Sequence, residues 1–307
     1  MPSEPSFSRL PPPLSTNEER STAPALPLLC AALAAAAFVG MDTVIKMLAS
    51  RHDTLQLSFF RFAGGSVFAI PLWLWRRTPL PTGRAWRLHV VRSVLLLASL
   101  LGYFYALSQL PLALTVTVSY LSPIFVAVLA GPVLGERPAP AVWLALAAGL
   151  LGVSISVWPE LRATLAGGAS GRLPGIAVAA IAALSFAGVL LLARRQASRD
   201  AIWSILLIQS VLPMLLLAGP AAWHWAPVSM VDAGWALFAG GLGTVGLLGV
   251  TYAFTRLEAS RVASLDYSGF VWAAAFGYLL LDEVPSATTW VSASLIIGGC
   301  LMLLRRA

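Results

Sequence analysis

Few ionisable side chains fall inside the apolar runs of this sequence, and those few are the ones placed to do chemistry there. Asp42 and Lys46 stand four residues apart in the run 25–48, so on a helix they share a face. Arg61 lies a few residues into the next run, at a depth similar to that of Asp42 if the two runs are antiparallel. One carboxylate with two cations reads in two ways. It is an anion-binding or proton-coupled site at the outer side of a central cavity, or it is a neutralised Asp42–Arg61 or Asp42–Lys46 pair locking two helices together. Arg92, near the inner end of its run, is expected to snorkel to the membrane surface. Asp266 begins the ninth run, where a helix N-terminus favours a carboxylate, or where it gates the inner mouth.

Aromatic and hydroxyl residues near the middle of the runs are the candidates for a pocket. Thr115, Ser119 and Ser122 recur at helical spacing as one polar stripe. Tyr103, Tyr120, Tyr252, Tyr267 and the central Trp272 join Ser119 and Ser122 as a substrate-binding set, because small-molecule sites are mostly apolar with a few placed polar groups. Packing of satisfied tyrosines is the alternative. Pro123 interrupts the fourth run, which predicts a hinge or a widened cavity. Asp42, Lys46, Pro123 and Asp266 are thus the coupling or gating candidates, with Asp42 ahead of Asp266 for carrying protons. Aromatic lining suits an amphipathic solute and an unpaired Arg61 suits a carboxylate, so an amino-acid-like metabolite ranks first.

Other chemistries find no support. His52, His89 and His224 stand apart near run ends, so no metal site and no cofactor is expected. Gly-x-Ser-x-Gly and paired-carboxylate patterns are missing, and Glu136 and Glu283 belong to loops, which argues against an enzyme. A phosphate-cradling Gly-x4-Gly-Lys-Ser/Thr loop is missing too, so the energy source is a gradient rather than ATP bound by this chain.

The elements that position these residues follow from composition. The sequence is 58% hydrophobic and 11% charged, against the roughly 25% charged residues of soluble domains. Ten apolar segments, at about 25–48, 54–75, 88–109, 112–134, 141–158, 174–193, 201–222, 234–254, 261–281 and 287–304, approach the ~20 residues that cross a bilayer. The fold class is therefore an all-α integral membrane protein with ten transmembrane helices. Its net charge of +7 is topological and implies no nucleic-acid partner. Arginines concentrate in alternate loops (Arg76, Arg77, Arg84, Arg87, Arg137, Arg194, Arg195, Arg199, Arg256, Arg261), leaving Arg51, Arg162 and Arg172 on the other side, which predicts that both termini are cytoplasmic. Most tryptophans fall near segment ends, as in an interfacial belt. Residues 1–23, rich in Pro, Ser and Glu, read as a disordered cytoplasmic tail rather than a signal peptide. Cys30 and Cys300 lie in apolar runs and read as small hydrophobes.

The chain also repeats itself. A shift of 147 positions carries Tyr105 onto Tyr252, Tyr120 onto Tyr267, Glu136 onto Glu283, Pro138 onto Pro285 and Trp143 onto Trp290. The halves are residues 24–160 and 174–307, joined by a loop at 161–173. Five crossings per half is an odd number, so the halves must be inverted relative to each other, an arrangement that recurs in secondary transporters with the solute held between the repeats.

At this level the sequence resembles the drug/metabolite transporter superfamily, and within it the ten-helix EamA branch. The resemblance rests on Arg61, Tyr105-Ala106-Leu107, Leu110-Pro111-Leu112-Ala113, Tyr120, Pro123-Ile124-Phe125 and Leu134-Gly135-Glu136-Arg137-Pro138, echoed by Tyr252-Ala253, the stretch Ala259 to Ala263, and Leu281-Asp282-Glu283. Asp282 stands where Gly is usual and Phe270 where Pro is usual, and the first segment has no deep glutamate to carry over from the four-helix multidrug relatives. The resemblance implies a bacterial inner-membrane carrier, multi-pass, moving small metabolites by alternating access, often outward. Solutes of the family include amino acids and derivatives, opine-type metallophores, xenobiotics, riboflavin and S-adenosylmethionine. The expected partners are a small-molecule substrate, the lipid bilayer and protons as a coupling ion, in a monomer or homodimer.

Overall fold

The computed structural model describes residues 25–49, 51–110, 115, 118–166, 173–223, 225–281 and 287–305. The expected tail at 1–23, residues 167–172 of the loop between the halves, His224, Asp282, Glu283 and Pro285 lie outside them. Eleven helices are formed among the described residues: α1 (Ala25–Leu48), α2 (Thr54–Arg76), α3 (Arg84–Gln109), α4 (Ser122–Leu134), α5 (Pro140–Ala166), α6 (Leu173–Ala197), α7 (Ile202–Trp223), α8 (Met230–Arg256), α9 (Ala259–Leu265), α10 (Ser268–Leu281) and α11 (Ala287–Arg305). Six of these, α1, α2, α3, α6, α7 and α8, are long and apolar enough to cross a membrane unaided. In a bilayer core every backbone polar group needs an internal partner, which is why the apolar runs resolve into helices.

The helix ends are set locally. Asp53 caps α2 by accepting the Leu55 N–H at 2.9 Å, and Ser229 caps α8 by accepting the Asp232 N–H at 3.0 Å. Gly135 ends α4 at φ 74°, a left-handed conformation that suits a residue without Cβ. Pro123 sits in the first turn of α4, after a turn at Tyr120–Leu121. The second half breaks at the equivalent place, at Asp266–Tyr267 between α9 and α10, although Phe270 replaces the proline there. Both halves thus contain a broken helix, and proline is not required for the break.

The pairing of helices shows the duplication in space. α1 runs along α8, and α3 along α6; α2 packs on α7, and α5 on α11. Exchanging the halves turns the first pair into the second and maps each of the other two onto itself. Tyr267 also donates its hydroxyl to the carbonyl of Tyr120, its own counterpart, at 2.8 Å, and the rings stack at 5.3 Å. A residue touching its own repeat partner places the pseudo-two-fold axis between them.

Small residues allow this closeness, as expected where lipid supplies no hydrophobic drive. A Cβ on Gly240 would lie 2.2 Å from the Gly64 carbonyl carbon, so α2 and α8 touch backbone to backbone. Large apolar side chains such as Leu33, Leu74, Ile181, Leu215 and Leu279 point outward on the lipid-facing surface. Trp75, Trp223 and Trp290, all exposed near helix ends, mark its margins.

Candidate functional site

The helices enclose a cavity of about 720 Å³ reached by α1, α2, α3, α6, α7, α8, α9 and α10, within the ~300–1,000 Å³ typical of small-molecule sites. Seven residues singled out by the sequence line it: Asp42, Lys46, Arg61, Tyr103, Ser119, Tyr120 and Asp266. Five others do not. Tyr267 is 1% exposed and holds the pseudo-axis. Trp272 stacks on Phe276, Tyr252 is half-buried along α8, and Ser122 and Pro123 are buried at the start of α4. These side chains pack around the chamber instead of facing it.

The charges are held loosely. Arg61 Nη1 lies 3.7 Å from Asp42 Oδ1, well beyond the roughly 2.7–2.9 Å of a charge-assisted hydrogen bond. The Asp42 side chain is 63% accessible and that of Arg61 26%, because both project into the chamber. Such a pair keeps its hydrogen-bonding capacity for a solute. Lys46, one turn beyond Asp42, lines the same wall and has its own polar contact.

Two placements differ from the sequence reading. Asp266 does not begin a helix at the cytoplasmic end. The helix starts earlier, at Ala259 behind Glu258, so Asp266 falls in the break, exposed to the chamber and just ahead of the N-terminus of α10. The helix end that favours its charge is thus an internal one, as in carriers with discontinuous helices. Arg92 does not snorkel. α3 starts at Arg84, α6 covers its flank, and Arg92, 4% exposed, donates from Nη1 to Gln196 Oε1 at 2.8 Å while touching the cavity.

One end of the chamber is shut. Its lining there, Ala31, Arg92, Val189 and Val262, is at most 4% exposed. A polar bolt lies beside it. Glu136, just after the α4 cap, accepts Arg194 Nε from α6 at 2.7 Å and the Ala259 N–H of α9 at 2.8 Å. Arg194 donates a further hydrogen bond to the Phe254 carbonyl of α8. At the same end His89 Nε2 meets Asp200 at 3.0 Å. The opposite end is open: Asp42, Lys46, Asp266 and Ala273 are exposed to it. Beyond it Arg51 pairs with Asp232 at 2.6 Å, and His52 Nε2 lies 3.3 Å from the same carboxylate. Exchange of the halves relates the two His–Asp pairs, with the histidine and the aspartate trading elements.

Sequence reasoning missed several of these residues. His52 and His89 are not isolated, since each finds a distant aspartate. Glu136 is a loop residue as read, but its partners, Arg194 and the Ala259 N–H, come from two helices remote in the chain. Gln209, Ser210 and Thr244 also line the cavity; their only signal was a polar group within an apolar run. Among the described residues no cluster of His, Cys, Asp or Glu could hold a metal ion.

The EamA-like transporter family matches residues 25–158 and again 173–305. The chain belongs to that family. It is accordingly a multi-pass membrane protein of a transporter family, not of an enzyme family. Among its relatives is the pseudopaline exporter CntI of Pseudomonas aeruginosa, 29% identical over 91% of this chain and 95% of that one. The S-adenosylmethionine uptake transporter of Rickettsia bellii is 24% identical over 86% and 88%, and the riboflavin transporter of Brucella anthropi 26% identical over 91% and 97%. A solved crystal structure, 22% identical, superposes with a TM-score of 0.71 over 90% of this EamA-like chain and 99% of its own, which shows the shared fold.

Proposed function

We propose that this protein is an inner-membrane secondary transporter that exports a small zwitterionic metabolite, an amino acid or a compound derived from one, by alternating access. The observation that carries the reading is the central chamber itself. It holds charges of both signs, with Asp42 loosely paired to Arg61 and Asp266 on the same lining as Tyr103 and Tyr120, and it is open at one end and bolted at the other. Arg61 takes the carboxylate of the solute, the acidic residues its amine, and Ser119, Gln209 and Ser210 its remaining polar groups. An opine-type metallophore or a xenobiotic with the same charge pattern fits this chemistry too.

With arginines on the cytoplasmic side, both termini are cytoplasmic and the open end faces outward. Transport then requires the Glu136 bolt to open and the far end to close, with the breaks before Ser122 and Ser268 as hinges. Asp42, and after it Asp266, is the candidate proton carrier. A second reading, uptake of a cofactor-like metabolite, draws on the Rickettsia and Brucella relatives, whose names state uptake of S-adenosylmethionine and transport of riboflavin. Flux of radiolabelled amino acids, opines, S-adenosylmethionine and riboflavin in proteoliposomes separates the two. Movement of zwitterionic amino-acid derivatives supports the first reading. Movement of the cofactors alone supports the second, and a folded protein that moves none of the panel contradicts both.

A further inference from the structure

A second hollow of about 180 Å³ adjoins the main chamber. Its mouth is shared: Arg61, Leu96, Tyr103, Ser119 and Phe186 line both spaces. Its remaining walls are Ser99, Leu100, Ala182 and Ala183, so apart from one serine hydroxyl the interior is apolar. The hollow exists because α3 and α6 are pinned on either side of it. A Cβ on Gly102 would meet Ala182 Cβ at 3.1 Å, and a Cβ on Gly188 would meet Leu95 Cδ1 at 3.1 Å. Beside the first of those contacts, the small side chains of Ala182 and Ala183 leave the gap unfilled.

We infer that this annex is a side-chain subsite, and that it sets which solutes the transporter accepts. The inference rests on the zwitterion reading above. A carboxylate held by Arg61 places the next substituent of the solute at the annex mouth, between Tyr103 and Phe186. Apolar cavities of about 150 Å³ stay dry and take up benzene, so this one has room for a branched aliphatic group or a phenyl ring. The favoured substrates are therefore amino-acid-like molecules with an apolar arm of up to that size. Ala183 and Leu100 are the specificity-determining residues, since one limits the annex from α6 and the other from α3.

The test is initial flux of labelled glycine, alanine, leucine and phenylalanine in proteoliposomes, with tryptophan added for the enlarged annex, and with monodispersity and melting temperature checked for each variant. The wild type is expected to favour leucine and phenylalanine. Ala183→Leu fills the annex, and a misfit of a few methylenes in such a pocket changes rates by tenfold or more. It should cut phenylalanine and leucine flux by about tenfold or more while leaving glycine and alanine within about twofold. If Ala183→Leu does not fold, Ser99→Leu, which lines the annex and not the main chamber, narrows the same space from the other helix, with the same expected pattern. Leu100→Ala enlarges the annex and should raise the flux of tryptophan relative to leucine. Equal losses for all four solutes, as from a lateral opening occupied by lipid, would overturn the proposal. So would a phenylalanine-to-glycine ratio unchanged in Ala183→Leu together with a tryptophan-to-leucine ratio unchanged in Leu100→Ala. A folded wild type that carries an opine but none of the four overturns the annex proposal and leaves the zwitterion reading standing, whereas one that carries no zwitterion of either kind contradicts both.

Discussion

Substituting Glu136 by Gln tests the idea that a polar bolt shuts one end of the chamber. The carboxylate accepts two hydrogen bonds, from Arg194 Nε at 2.7 Å and from the Ala259 N–H at 2.8 Å. Hydrogen bonds to charged groups contribute about 1.5–3 kcal/mol each. The side chains of Arg194 and Glu136 are 22% and 14% exposed, so screening trims the gain, and glutamine keeps one neutral acceptor. The net loss is about 2 kcal/mol, which at ~1.4 kcal/mol per decade is a shift of about thirtyfold toward opening. Val262 reports that opening, because it lines the chamber and is 4% exposed on the shut side. In a Cys30→Ser, Cys300→Ser background, the thiol of Val262→Cys is labelled from the cytoplasmic side with a membrane-impermeant maleimide. Labelling should be slow with Glu136 and up to about thirtyfold faster with Glu136→Gln, and Arg194→Gln should act in the same direction. A lower melting temperature with an unchanged labelling rate would refute the reasoning, since Glu136 would then hold the fold together without gating it.

Three further outcomes follow from the same geometry. Arg61→Ala should raise the KM for a carboxylate-bearing solute by about tenfold or more, and Arg61→Lys should restore it only in part because the planar fork is lost; an unchanged KM in flux assays removes Arg61 from the site. Asp42→Asn should abolish stimulation by a pH gradient while leaving flux down a solute gradient, and a variant still driven by pH would transfer the coupling role elsewhere. Gly240→Leu should prevent folding, because even a Cβ there would lie 2.2 Å from the Gly64 carbonyl carbon; a monodisperse protein with wild-type melting temperature would show that α2 and α8 are not packed as described.

The architecture was legible because it is written in long-range regularities. The 147-residue register needed no side-chain detail, and the same separation reappears in the contact between Tyr120 and Tyr267. The charged part of the site was legible for a related reason: Asp42, Arg61 and Asp266 are conspicuous in apolar runs. The rest was not. α6 and α7 are apolar on every side, so nothing in their periodicity showed that Phe186, Gln209 and Ser210 face a cavity. Arg92 looked like an interfacial residue by its distance from the helix start, but depth along a helix does not show that α6 covers that flank. Tyr267 and Trp272 have the composition of a pocket, yet they form packing contacts with Tyr120 and Phe276. Glu136 was placed in its loop without its function, since Arg194, Phe254 and Ala259 come together only in three dimensions.

The central claim is that one chamber serves both faces of the membrane in turn. Exchange in proteoliposomes tests it most directly: entry of a labelled zwitterion is measured with and without unlabelled zwitterion trapped inside. A carrier returning loaded is expected to speed that entry several-fold, and Glu136→Gln should alter the acceleration. Entry that ignores the trapped solute and rises linearly with concentration would identify a pore, and would contradict the account.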